Sequence, residues 1–139
     1  MIKKYGSAIW SGGLKDGKGT VSTQSGALAD QPYGFNTRFE DGAGTNPEEL
    51  IGAAHAGCFS MALSGQLAEA GLTADRIETR STIHLSMENG PTVVKAHLDV
   101  VIASEGDIAK IETAAKAAET GCPISRLLDC EITMSLDIV

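Results

Sequence analysis

The sequence has few of the features that mark secreted, membrane and disulfide-rich proteins. Only three of its 139 residues are cysteine, and aromatic residues make up 4%. No apolar run approaches the roughly 20 residues that cross a bilayer, and the first six residues lack the apolar stretch of a secretory signal. These absences predict a cytoplasmic protein, in a compartment where thiols are kept reduced.

Basic charge is scarce as well. The chain has 11 Lys and Arg against 18 Asp and Glu, which gives a formal net charge of -7, and its basic residues form no run. Nucleic acids and anionic membrane surfaces are bound by basic patches, so we expect neither as a partner. The 139 residues are 42% hydrophobic. This length and composition fit a single domain over residues 1–139.

Glycines punctuate the first third of the chain and separate three stretches suited to strands. These are residues 4–11, 19–25 and 33–40, an expected antiparallel meander. Thr45 or Asn46 can then cap a helix that opens on Pro47. We expect this helix to run to about Glu69 and to stop at Gly71. It is apolar on nearly all sides and needs cover on most of them.

Alternating residues 77–87 and 94–102 predict two strands joined by an Asn89-Gly90 turn. A helix capped by Asp107, a short helix over residues 124–128 and a strand over residues 130–139 complete the chain. The order βββ-α-ββ-α-α-β predicts an α+β fold, with two antiparallel three-stranded sheets packed around central helices.

The three cysteines are Cys58, Cys122 and Cys130, and they form no C-x-x-C pair. An odd number of cysteines in a reducing compartment argues against a structural disulfide framework. Inert thiols, metal ligands and redox-active thiols remain open. Cys122 stands just before Pro123 at a helix start, where the helix dipole lowers a thiol pKa. It lies 122 − 58 = 64 residues from Cys58, so only the fold can bring the two together.

Four segments resemble one family along essentially the whole chain. They are KGTVST (18–23), QPYGFNTRFE (31–40), GTNPEELIGAAHAGCFSMAL (44–63) and GCPIS (121–125). On these segments the chain resembles the osmotically inducible protein C family, the OsmC-like peroxidases. Residues 35–40 and the extended first hairpin resemble the OsmC branch proper more than the organic hydroperoxide resistance branch.

The resemblance implies a thiol-dependent peroxidase that reduces organic hydroperoxides. It matches the family's reactive cysteine to Cys58 and the second cysteine to Cys122, with Arg38 and Glu48 completing the site. It implies no bound cofactor, an external dithiol reductant such as a dihydrolipoyl group on a protein, and an intertwined homodimer with two sites at the interface. In this site Cys58 becomes a sulfenic acid, and Cys122 condenses with it to a disulfide.

These residue types suit that chemistry. Peroxide cleavage needs a thiolate, and a guanidinium such as that of Arg38 stabilises one. Glu48 can hold Arg38 in place by an ion pair. Phe39 and Phe59 are candidate substrate-binding residues that favour alkyl hydroperoxides.

Helix geometry adds an independent inference about the site. Glu48 and Cys58 lie ten residues apart on one predicted helix, which is about 15 Å along its axis. If both serve one site, either the helix is broken or Glu48 comes from a second chain. We therefore hypothesise a dimer in which the cysteines come from one subunit, and Arg38 and Glu48 come from the other.

The remaining candidates favour structural roles. Cys130 is expected to pack in the core, and Glu49 to support the helix start. His55 can act as a base, but a hydrogen-bonded core histidine is favoured. His84 and His97 are expected to be solvated. A zinc site of His55, Cys58 and Cys122 fits no common zinc module, so no metal is expected.

Two functions without turnover remain open beside the peroxidase. One is a protein that holds an apolar ligand in the interface groove with inert thiols. The other is a redox sensor whose partner recognises the Cys58–Cys122 disulfide.

Overall fold

The structure is a computed structural model that describes residues 1–139. The chain divides into two compact units, Met1–Leu50 and Ile51–Val139. The boundary falls inside the long helix α2, Pro47–Glu69. The assignment of the whole chain to one domain stays a prediction.

The first unit contains a three-stranded sheet and a short helix. Strands β1 (Gly6–Ser11), β2 (Lys18–Thr23) and β3 (Gln31–Tyr33) pair in chain order, and both pairings are antiparallel. The predicted meander is confirmed, with shorter strands. Every residue of β1 is exposed.

The expected third strand over residues 33–40 is wrong for most of its length. The strand ends at Tyr33 and gives way to helix α1, Phe35–Phe39. The backbone N–H of Gly34 donates to the Thr37 hydroxyl at 2.8 Å, and that hydroxyl donates to the Gly34 carbonyl at 3.0 Å. These local bonds offer the backbone an alternative to strand pairing. As a result, Arg38 lies on a helix.

The second unit is built on β4 (Arg76–Ser86), β5 (Thr92–Ala103) and β6 (Glu131–Ile138), with β5 in the middle. Helices α3 (Ile108–Gly121) and α4 (Pro123–Leu127) connect β5 to β6. The predicted α+β class and the two three-stranded sheets are confirmed. At the predicted turn, Asn89 and Gly90 both have positive φ, of 55° and 92°, as a tight hairpin requires.

One strand direction in this sheet differs from the expectation of two antiparallel sheets. β4 pairs with β5 antiparallel, whereas β6 pairs with β5 in parallel. Parallel neighbours require a crossover connection, and α3 and α4 supply it. The alternation of residues 130–139 predicted a strand correctly but carried no information on its direction.

The core of the second unit lies between α2, β5 and α3. It is formed by Phe59, Leu63, Leu67, Leu98, Val100, Ile102, Ile111, Ala114, Ala115, Ala118 and Cys122. The alternating residues of β5 are buried from Ala96 to Ile102, whereas Val94 is exposed, and so is Met87 at the end of the hairpin.

Helix α2 buries only one face within the chain. Gly52, His55, Phe59, Leu63 and Leu67 form the buried face. Ala53, Ala54, Gly57, Met61, Gly65 and Ala68 are exposed. The expected cover on most sides is therefore absent in the single chain. No helix combines the length and apolar character needed to cross a membrane.

Candidate active site

The first unit holds Arg38 and Glu48 as an ion pair. Arg38 Nε lies 2.8 Å from Glu48 Oε1. The second carboxylate oxygen, Oε2, is buried and has no hydrogen-bond partner. The guanidinium also stacks over Phe39, 5.2 Å from the ring centre. The sequence-predicted pair therefore forms, with one acceptor atom of Glu48 still free.

The start of α2 positions Glu48. Asn46, one of the two predicted caps, accepts a hydrogen bond from the Glu49 backbone N–H at 2.8 Å. In return the Glu49 carboxylate accepts from the Asn46 amide and from the Thr45 hydroxyl, both at 3.0 Å. Such reciprocal capping fixes the first turn of a helix. Glu49 therefore has the structural contacts expected of it.

An apolar pocket of about 200 Å³ adjoins the Arg38 side chain within the first unit. Its lining consists of Trp10, Leu14, Tyr33, Gly34, Phe35, Arg38 and Phe39. Phe35 and Phe39 are one helical turn apart, and their ring centres are 4.9 Å apart. The pocket thus combines an aromatic wall with one cation. Of the two candidate substrate-binding residues, Phe39 lies here, whereas Phe59 is fully buried in the other unit's core, a placement that favours packing.

The second unit brings Cys58 and Cys122 together. Cys58 packs against the buried cluster that includes Cys122, and both Cys122 and the backbone of Ile124 influence its pKa. Burial raises the pKa of the Cys58 thiol, and the hydrogen bond and charge interaction with Cys122 raise it further, while the Ile124 bond opposes the shift. No cationic group is among these influences. The second unit alone therefore favours the thiol form of Cys58.

Cys122 is the N-cap residue of α4, as the sequence predicted. Its Sγ accepts a hydrogen bond from the Ser125 backbone N–H at 3.3 Å, and its thiol donates to the Ser125 hydroxyl at 3.2 Å. The side chain is fully buried. The short helix thus holds the second sulfur against the first.

His55 is a fully buried, hydrogen-bonded histidine, as favoured from the sequence. Its Nε2 lies 2.8 Å from Ser125 Oγ, and its Nδ1 lies 2.7 Å from Ser81 Oγ. Burial lowers the pKa of His55. No pattern in the sequence indicates these partners, because they lie 26 and 70 residues away along the chain.

The other sequence candidates lie apart from this cluster. Cys130 precedes β6, is half-buried, and burial raises the pKa of its thiol. His97 is not merely solvated, because its ring nitrogens lie 2.6 Å from Thr133 Oγ1 and 3.1 Å from Ser135 Oγ. No group of three or more metal-binding side chains forms, so the zinc alternative gains no support.

Fold and site together define an α+β protein that has a pair of neighbouring cysteines in its second unit and an arginine–glutamate ion pair in its first. Residues 40–137 match the family described as OsmC-like protein. Over 139 residues the chain is 50% identical to the protein named peroxiredoxin OsmC from Escherichia coli K12, covering 99% of this chain and 97% of that one. The chain therefore belongs to the OsmC-like family.

Solved structures of other proteins share the fold. An OsmC-like protein from Mycoplasma pneumoniae aligns with a TM-score of 0.76 at 14% identity, over 99% of this chain and 98% of that one. The organic hydroperoxide resistance protein OhrB of Bacillus subtilis aligns with a TM-score of 0.68 at 24% identity, over 97% and 98%. At these identities the likeness concerns the fold alone.

Proposed function

We propose that this chain is a cytoplasmic thiol peroxidase that reduces organic hydroperoxides to alcohols in stress defence. Cys58 is the attacking thiol and Cys122 the resolving one. The observation that carries the proposal is the proximity of the two thiols, because Cys58 packs against the cluster that includes Cys122 and Cys122 influences its pKa. The 50% identity to a protein named peroxiredoxin supports the peroxidase class.

The proposed cycle has three steps. The Cys58 thiolate attacks one peroxide oxygen, an alcohol leaves, and Cys58 becomes a sulfenic acid. Cys122 then displaces the hydroxyl group, so that water and a Cys58–Cys122 disulfide form. A dithiol, by resemblance a dihydrolipoyl group carried on a protein, reopens the bridge by exchange.

Arg38 is proposed to stabilise the Cys58 thiolate and the charge that develops on the peroxide. Its ion pair with Glu48 leaves the other guanidinium nitrogens available for this role. The aromatic pocket beside Arg38 favours an alkyl or aryl hydroperoxide over hydrogen peroxide, because apolar groups gain from leaving water. Phe39 is the proposed contact for that group.

We further propose a homodimer that joins the two residue pairs. Helix α2 is unbroken from Pro47 to Glu69, which separates Glu48 from Cys58 by about 15 Å along its axis. Its exposed face carries small residues and Met61 but no charge between Ile51 and Gln66. A second copy of the chain can cover that face and bring its own Arg38 and Glu48 to the cysteines.

Two assays test this function. One equivalent of cumene hydroperoxide should remove two thiols per chain, and Cys58→Ser should abolish the loss while Cys130→Ser should not. Turnover with dihydrolipoamide should then be faster with cumene hydroperoxide than with hydrogen peroxide. Absence of any thiol loss would favour the apolar-ligand-binding alternative. Thiol loss without turnover in the presence of any dithiol would favour the redox sensor.

A further inference from the structure

The resolving cysteine is connected to a buried histidine through a serine. Cys122 donates to the Ser125 hydroxyl at 3.2 Å, that hydroxyl lies 2.8 Å from His55 Nε2, and His55 Nδ1 lies 2.7 Å from the Ser81 hydroxyl. These four residues form a continuous hydrogen-bond chain across α4, α2 and β4. All four lie within the second unit, and three of them are fully or almost fully buried.

The directions of these hydrogen bonds are mutually consistent for a neutral histidine. Because Cys122 donates to Ser125, the Ser125 hydroxyl is free to donate its own proton to His55 Nε2. A neutral imidazole that accepts at Nε2 carries its proton at Nδ1, which donates to Ser81. The chain therefore runs from the Cys122 thiol to an unprotonated ring nitrogen.

We propose that His55, acting through Ser125, accepts the proton that Cys122 must lose when its sulfur attacks oxidised Cys58. This inference rests on the proposed peroxidase function. An ordinary thiol, with a pKa near 8.5, is mostly protonated at neutral pH and is a poor nucleophile. His55 does not touch the reacting sulfur and is thus a positioning residue, whereas Ser125 contacts that sulfur directly.

Atoms and electrons balance in this step. A bond forms between the sulfurs of Cys122 and Cys58, and the sulfur–oxygen bond of the sulfenic acid breaks, with its electron pair leaving on oxygen. The thiol proton passes to Ser125 as the hydroxyl proton of Ser125 passes to His55. The departing hydroxide takes one proton, from the imidazolium or from solvent, and becomes water. No further oxidant or reductant is needed.

The surroundings of His55 leave it neutral and able to accept. The side chains that face it are the hydroxyls of Ser81 on β4 and Ser125 on α4, and the titratable groups of the cluster are Cys122 and, one turn along α2, Cys58. His55 forms no ion pair with a carboxylate. Burial accordingly lowers its pKa.

A single-turnover experiment separates the two chemical steps. Reduced protein is mixed with one equivalent of cumene hydroperoxide and quenched at intervals. Mass spectrometry then measures dimedone-trapped sulfenic acid and disulfide at each time and pH. In His55→Gln, which can bond Ser125 but cannot take a proton, sulfenic acid should form at the normal rate and the disulfide about tenfold or more slowly at pH 7. The wild-type disulfide rate should be flat above neutrality, while that of the variant should rise with pH.

The serine supplies variants that distinguish proton transfer from packing. Ser125→Ala should slow disulfide formation as His55→Gln does, and Ser125→Thr, which keeps a hydroxyl, should restore most of the rate. Ser60→Ala is the matched control, since Ser60 bonds Thr79 of β4 at 2.7 Å from the same helix without reaching a cysteine.

The outcomes distinguish failure of the proton transfer through Ser125 from failure of the peroxidase function. Unchanged disulfide rates in His55→Gln and Ser125→Ala, with normal sulfenic acid formation, would overturn the inference alone. Equal slowing in Ser125→Ala and Ser125→Thr would overturn it too, because the loss would then reflect packing. A wild-type chain that forms no sulfenic acid would overturn the peroxidase function and, with it, this inference.

Discussion

Among single residues, Arg38 is held by two contacts that orient its guanidinium group. One nitrogen is bound by Glu48 at 2.8 Å, and the plane lies over Phe39. A guanidinium fixed in this way needs little reorganisation when charge develops nearby. The bond to Glu48 therefore serves orientation, in keeping with its proposed role.

Removal of this guanidinium should slow the reaction with peroxide. Arg38→Met should lower the second-order rate with cumene hydroperoxide about 100-fold or more, as expected when one preorganised donor of a transition state is lost. Stopped-flow consumption of the peroxide measures it. Arg76→Met, which removes an exposed arginine paired with Glu78, is the matched control. Equal rates in both variants would remove Arg38 from the mechanism.

The buried His55 should make stability depend on pH. Its folded-state pKa lies below the usual value of about 6.5, so the unfolded chain takes up the proton first as the pH falls. The free energy of unfolding should therefore hold above about pH 6.5 and decrease below it, by up to about 1.4 kcal/mol per pH unit.

Urea unfolding between pH 5 and 7 measures that slope. The slope should shrink in His55→Gln and persist in His84→Gln, because His84 is exposed. A slope of the same size in both variants would assign it to other groups.

The structural role of a residue could be predicted where it depends on its neighbours in the sequence. The capping of α4 by Cys122 and of α2 by Asn46 follows from short patterns around a proline. The contacts of His55 could not be predicted, because Ser81 and Ser125 are brought to it by pairing and packing of distant elements. Likewise, no pattern in residues 33–40 indicated that Thr37 would bond Gly34 at the start of a helix.

At the scale of elements, α2 and β4 approach each other closely at one glycine. A Cβ added at Gly52 would lie 2.8 Å from the Ser81 carbonyl oxygen, and Ser81 is also a partner of His55. Only a residue without a side chain lets the helix lie this near the strand backbone. The contact fixes the depth at which the first part of α2 packs on β4.

This contact predicts a position-specific effect of glycine replacement. Gly52→Ala should lower the free energy of unfolding by about 1–3 kcal/mol, because the helix or the strand must shift. Gly121→Ala, at the end of α3 with nothing within 4 Å of the added Cβ, should change it by no more than about 0.5 kcal/mol. Chemical unfolding of both variants gives the comparison, and similar losses in the two would argue against a tight contact at Gly52.

Periodicity predicted the existence of most elements but not their pairing. The alternation before Val139 is the same for a parallel and an antiparallel neighbour. The direction of β6 follows instead from the crossover through α3 and α4. That crossover carries Cys122, so the route of the chain sets the place of the second sulfur.

At the scale of the whole molecule, the exposed face of α2 requires a partner for the proposed site. Met61 is 79% exposed in the middle of this face. Removing an uncharged, apolar helix face from water lowers the free energy of the system. We expect the second copy of the chain to provide that cover.

A charge at the centre of the face should separate the copies. Met61→Glu should shift the protein from dimer to monomer in light scattering and abolish turnover, because Arg38 would no longer reach the cysteines. Met87→Glu, at a methionine 59% exposed at the end of the β4–β5 hairpin, should change neither. A fully active monomer would contradict the shared site.

The sulfur that caps α4 is also the one proposed to enter the disulfide. If Cys122 Sγ turns toward Cys58 to form the bridge, we expect it to lose the hydrogen bond that it accepts from the Ser125 backbone N–H, 3.3 Å from nitrogen to sulfur in the reduced chain. The Ser125 amide proton should then exchange faster with deuterated solvent when the disulfide is formed. Its exchange rate therefore reports the oxidation state of the cysteines. In the proposed cycle, the opening turn of this five-residue helix would loosen and re-form with each turnover.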